Sequence, residues 1–105
     1  MRRDTTSSLD AGISGLTRSS PLLRDRYVDW LEAHLEPRSK VLELGSGTGR
    51  PVAERLAYGY DYLGVDASTE MVSVATGNVP NAQFLVADMR RLELPAGKFD
   101  AVVAF

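Results

Sequence analysis

Chemistry in this chain concentrates in the run "KVLELGSGTGRPV", from Lys40 to Val52, and in the carboxylates and thioethers downstream of it. Gly45, Gly47 and Gly49 follow an apolar, strand-like stretch and precede a helix-like one. Such a turn lets a ligand come close to backbone amides at the positive end of a helix. A phosphate loop of the Walker type would close on Lys followed by Ser or Thr, and Arg50 and Pro51 stand there instead. The dinucleotide fingerprint G-x-G-x-x-G would place its third glycine where Arg50 lies. Glu43, two residues ahead of the first glycine, would repel a pyrophosphate on the loop and would attract an ammonium. The loop therefore reads as a seat for a cationic, amino-acid-like ligand.

Asp66 closes the next apolar run, roughly 20 residues past the first glycine, where a carboxylate can accept hydrogen bonds from both hydroxyls of a ribose. Alone it could equally cap the following helix, and it does not separate nicotinamide cofactors from other nucleosides. Asp88 ends a third run, where its oxygens could accept from an exocyclic amine such as that of adenine; a plain loop acid is the alternative. Met71, one turn into the helix after Asp66, offers a soft apolar surface for a base or a piece of core. His34, the single histidine, could serve as a general base, but its place beside the apolar stripe of the first helix favours a plain surface or packing role. Tyr27 and Trp30 read as packing, and Arg90 with Arg91 as a solvated loop.

The elements that position these groups follow from periodicity. "SSPLLRDRYVDWLEAHLEP" predicts a helix with Ser20 as cap, Pro21 at its first position and Pro37 at its end. Leu23, Tyr27, Trp30, Leu31 and Leu35 recur on one face. From Lys40 short elements alternate: strand "KVLEL", helix "RPVAERLAYG", strand "YDYLGVD", helix "STEMVSVATGN" with Ser68 near its start, and strands "AQFLVAD" and "FDAVVAF". That alternation predicts a parallel sheet with covering helices and its ligands at the carboxyl ends of the strands. Residues 1–19, rich in Ser, Thr, Gly and Arg, read as a flexible leader, and 20–105 as the folded domain. The apolar "DAVVAF" would make an exposed sheet edge, so a missing C-terminal half, a partner chain or self-association through that strand is expected.

The totals narrow the classes. With 105 residues, 44% hydrophobic and 25% charged, the chain fits one ordinary globular domain. A net charge of −2 leans against nucleic acid, which calls for a basic face. No cysteine is present, so disulfides and thiolate metal sites are excluded. No apolar run reaches the ~20 residues of a membrane span, and the N-terminus lacks the apolar core of a secretory signal. A cytoplasmic location, no membrane partner and no metal are the expectations.

Taken together, "VLELGSGTGR", "YLGVDASTEMV" and "AQFLVADMRRLELPAGKFDAVVAF" resemble the class I S-adenosylmethionine-dependent methyltransferases, over about residues 22–105 and with order and spacing intact. The resemblance implies a Rossmann-like open parallel α/β sheet with covering helices, of which this chain carries about four strands of the family's seven. It implies S-adenosylmethionine as cofactor, with Glu43, Gly45, Ser46 and Gly47 around its methionine portion and Ala104 near the amino group. It implies Asp66 on the ribose, Ala67 and Met71 flanking the adenine, and Asp88 with the Met89 backbone at the adenine amine. Methyl transfer to a small-molecule acceptor is the function expected, with no catalytic base assignable. A nicotinamide-dependent oxidoreductase and a non-catalytic cofactor-binding or interaction fragment are the two alternatives.

Overall fold

A computed structural model describes residues 3–4, 21–93 and 97–105. In chain order the elements are β1 (Arg3–Asp4), α1 (Pro21–His34), β2 (Lys40–Leu44), α2 (Val52–Gly59), β3 (Asp61–Asp66), α3 (Thr69–Asn78), β4 (Gln83–Val86) and β5 (Ala101–Ala104). One sheet holds all the strands in the order β1-β5-β2-β3-β4, and every pairing is parallel. The expected four strands are all there. β1 adds a two-residue pairing, Arg3 beside Ala101 and Asp4 beside Val102, that sequence periodicity did not reveal. The expected edge exposure of the "DAVVAF" strand is thereby corrected: β5 lies between β2 and β1. Apart from Arg3 and Asp4, the leader expected over residues 1–19 lies outside the described residues.

Alternation along each strand divides the core in two. Val41, Tyr62, Ala101 and Val103 face Tyr27, Val28 and Leu31 of α1, and Val52, Ala53 and Leu56 of α2, with Val79 just past α3. On the other face Leu42, Val65 and Val102 pack with Phe99, flanked by Leu44, Leu63, Ala87 and Leu92. Leu31 and Leu56 are fully buried, each contributing about 1.5–3 kcal/mol by removal from water. Leu85 and Val86 of β4 remain half exposed, as suits an edge strand.

In α1 the core stripe differs from the expected one. Val28 is buried, whereas Trp30 is 39% exposed and stacks on His34 and Tyr27. His34 is thereby accounted for: its Nδ1 lies 2.8 Å from the carbonyl of Trp30 one turn back. Arg55 of α2 pairs with Asp29 and Glu32 of α1, fastening the two helices on their outer side.

Ser68 caps α3 as expected, its hydroxyl accepting from the Met71 amide at 3.2 Å. α2 has no side-chain cap; Pro51, with no amide to leave unpaired, precedes it.

Candidate functional site

The glycine loop between β2 and α2 is held by the end of β3. The amides of Gly45 and Ser46 donate to the carbonyl of Val65 at 2.7 and 3.1 Å, and that of Gly49 to the Ser46 carbonyl at 3.1 Å. The Gly47 amide donates to Oδ2 of Asp66 at 2.9 Å. Gly45, Gly47 and Gly49 all have positive φ (77°, 56° and 82°), so the coil of the loop requires residues without a Cβ. Four loop amides are thus consumed inside the protein. A pyrophosphate seat needs such amides free, so the geometry agrees with the spacing argument against a dinucleotide.

Asp66 does more than end β3. While Oδ2 takes the Gly47 amide, Oδ1 accepts from the Ser68 amide at 2.9 Å. The carboxylate therefore clasps the glycine loop to the start of α3. Each oxygen retains a second lone pair, so the clasp leaves room for a ribose hydroxyl on either.

Glu43 lies beneath the loop, only 4% exposed. Its Oε1 accepts from the Tyr62 hydroxyl at 2.6 Å. Burial pushes its carboxyl up to about 7; the Tyr62 hydrogen bond and the Arg24 charge pull it down, and Asp66 pushes it further up. The Tyr62 phenol, raised by burial and by Glu43, stays protonated and acts as donor. Ser46 follows Gly45 with its hydroxyl buried and, among the described residues, without a partner; Nε of Arg24 is in the same condition. A buried polar atom left unpaired costs about 1–3 kcal/mol, so unpaired donors beside Glu43 mark a place fit for a polar ligand.

At the carboxyl end of β4 a cavity of about 490 Å³ is lined by Ala67, Val86, Ala87, Asp88, Met89 and Arg90. Three of the expected base-contacting residues, Ala67, Asp88 and Met89, are brought together there; Met71, 38% exposed in the first turn of α3, is not part of that lining. Asp88 is already engaged: Arg90 donates to it from Nε and Nη2 at 3.1 Å each and from its backbone amide at 3.0 Å. Those bonds hold the Asp88 carboxyl below the usual carboxylate range. A ligand amine would share Asp88 with Arg90. The Met89 side chain, expected to contribute only its backbone, reaches over Gly45, with its thioether carbon and sulfur about 4 Å from where a Cβ there would stand. Ala104 pairs in register with Leu44, which puts it next to the first residue of the loop.

Sequence reasoning missed Tyr62, Arg24 and Arg90. The signal for Tyr62 was available in principle, since a tyrosine in a buried strand must find a partner for its hydroxyl. Among the described residues no cluster of three or more acidic or imidazole side chains could hold a metal, and no helix is long and apolar enough to cross a membrane.

Comparison with known proteins agrees with this geometry. YqeM of Bacillus subtilis, which carries a methyltransferase name, is 41% identical over 83 residues, covering 75% of this chain and 33% of that protein. A demethylmenaquinone methyltransferase of Beutenbergia cavernae is 36% identical over 78 residues (70% and 32% covered), and a ribosomal-protein methyltransferase of Ralstonia nicotianae 33% over 98 residues (91% and 32%). The chain thus spans about a third of the length of these relatives. In fold it is similar to a TehB-like S-adenosylmethionine-dependent methyltransferase of Corynebacterium glutamicum, with TM-score 0.64 at 23% identity, covering 82% of this chain and 56% of that one. Residues 41–105, which run from β2 through the glycine loop and the Asp88 cavity to β5, match the family described as a methyltransferase domain, and the chain belongs to that family.

Proposed function

We propose that this chain forms the cofactor-binding part of an S-adenosylmethionine-dependent methyltransferase acting on a small-molecule acceptor. The observation that carries the reading is the convergence, at the carboxyl ends of β2, β3 and β4, of three different chemistries. Glu43 and the unpaired Ser46 hydroxyl lie at the loop for an amino-acid end, Asp66 at its rim for a ribose, and the Ala67–Asp88–Met89 cavity beside them for a base. Their order along the sheet edge follows strand order, so one extended ligand could touch all three.

The bound cofactor would supply an electrophilic methyl group. The chain's own residues bind and orient: Glu43 neutralises the ammonium, Asp66 holds both loop and ribose, and Met89 covers Gly45 against water. The acidic balance, with net charge −2, supports a small molecule over nucleic acid as acceptor. Among the relatives' names are a demethylmenaquinone methyltransferase, which favours a small-molecule acceptor, and a ribosomal-protein methyltransferase, which makes protein the competing class.

Isothermal titration with S-adenosylmethionine, with NAD as control, tests the cofactor assignment. The expected result is binding of the first and none of the second, and Asp66→Asn weakening the affinity roughly 10–100-fold, because an amide nitrogen cannot accept from Gly47 or Ser68. Equal binding of both cofactors, or an Asp66→Asn chain with unchanged affinity, would refute it. Transfer of labelled methyl groups to protein but to no quinone or phenol would refute the acceptor class.

A further inference from the structure

We propose that Tyr62 is a positioning residue for the cofactor's ammonium group: its hydroxyl, admitted by the missing side chain at Gly64, holds one oxygen of Glu43 and leaves the other to receive the cation. The inference rests on the cofactor reading above and assigns a residue to it that neither motif nor spacing marks.

Register explains how the contact is made. Val41 pairs with Tyr62 and Glu43 with Gly64, so Tyr62 and Glu43 are diagonal neighbours on one face of a parallel pair. Only a long side chain spans that diagonal, and its path runs over residue 64. A Cβ there would stand 2.7 Å from the Tyr62 hydroxyl, inside contact distance. The ring cannot swing away: Phe84, in register with Gly64, packs edge-on against it at 5.9 Å between centroids. The result is a buried acid with a fixed orientation, held by one donor on one oxygen. Among the described residues, Tyr62 is the only hydrogen-bond partner of that carboxylate.

A second consequence is that the charge on Glu43 is conditional. The groups that set it are Tyr62 and Asp66 on β3 and Arg24 on α1; across β2 on the other side it faces Val103, which is apolar. With its carboxyl near 7, Glu43 is divided between acid and carboxylate at neutral pH, and an arriving ammonium drives it to the carboxylate with release of a proton. Tyr62 favours the same ionised form, because a hydrogen bond to a carboxylate is stronger than one to the neutral acid.

The test is binding of S-adenosylhomocysteine, which carries the same amino-acid end without a transferable methyl, across pH 5.5–8, by the wild-type chain, Tyr62→Phe and Glu43→Gln. The carbon-13 titration of the Glu43 carboxyl is followed in parallel in the ligand-free wild type and Tyr62→Phe. Phenylalanine keeps the ring against Phe84 and removes only the donor. Wild-type affinity is expected to rise with pH and level off above about 7. In Tyr62→Phe both the binding midpoint and the carboxyl titration move up by about one pH unit, so the loss of affinity is roughly tenfold at pH 6 and only about twofold at pH 8. Glu43→Gln binds weakly with no pH dependence in this window. A Tyr62→Phe loss equal at every pH, or a Glu43 titration that does not move, overturns the proposal. If the wild type fails to bind at any pH while the Glu43 titration still shifts, the cofactor reading has failed and with it the ammonium role, and the Tyr62–Glu43 coupling alone stands.

Discussion

Gly64→Ala probes the site at the point where backbone geometry and chemistry meet. Gly64 has no positive φ, so alanine meets no backbone strain, and on conformational entropy alone it would stabilise by about 0.5–1 kcal/mol. The surroundings decide otherwise. An added Cβ would lie 2.7 Å from Cδ1 of Phe84, 2.7 Å from the Tyr62 hydroxyl and 2.8 Å from Cβ of Ser46. None of these is the far end of a flexible chain: two belong to rings packed edge to face, and the third is fixed to the glycine loop. Overpacking of this kind costs about 1–3 kcal/mol. Displacing the hydroxyl also strips Glu43 of its hydrogen bond, a further ~1.5–3 kcal/mol for a charged acceptor. The sum, less the entropy gain, is a net destabilisation of about 2–5 kcal/mol, a large part of what a domain of this size possesses. Urea unfolding at pH 8, where Glu43 is ionised, reads it directly. Gly64→Ala combined with Tyr62→Phe relieves one of the three contacts and should couple by about 0.5–1 kcal/mol or more. A single mutant within 1 kcal/mol of wild type, or strict additivity in the pair, would refute the argument that Gly64 exists to admit Tyr62.

Two other perturbations separate exposed from buried charge. Arg55→Ala removes the pair with Asp29 and Glu32, but those side chains are 37%, 66% and 40% exposed, so unfolding experiments should find a loss below about 1 kcal/mol that shrinks further in high salt. For Glu43 the folded value of about 7 lies above the ordinary 4.5, so the folded state binds the extra proton between those limits and stability falls as pH rises through them, by on the order of 3 kcal/mol, then levels off. Unfolding free energies measured from pH 4.5 to 8 on wild type and Glu43→Gln check it: the difference between the two should carry that slope, and a difference that is flat in pH would mean Glu43 is ionised throughout.

The order of elements was legible because each depends on neighbours along the chain. Period-two and period-four spacing, Ser68 as a cap and the glycines of the loop act within a few residues, and β2 to β5 formed where those signals placed them. What escaped depends on register. Nothing in "YDYLGVD" says that Tyr62 lies diagonal to Glu43; that follows only once Val41 pairs with Tyr62 and fixes which residues share a face. For the same reason Trp30 was placed in the core on spacing alone, whereas the buried arc of α1 turned out to include Val28 and leave Trp30 to stack on His34. For Asp66 the sequence offers a capping role, and the Ser68 amide two residues on bears that out, but the Gly47 amide reaches it only once β2 and β3 pair; Asp88 is taken by its near neighbour Arg90, a contact that a sequence does not display. Glu43 shows the limit most clearly. Its attraction for an ammonium depends on a full negative charge, and that charge exists only so far as Tyr62 and Arg24 offset the cost of burial. The residue type identifies the kind of ligand, while its neighbours across the sheet determine at what pH it can bind one.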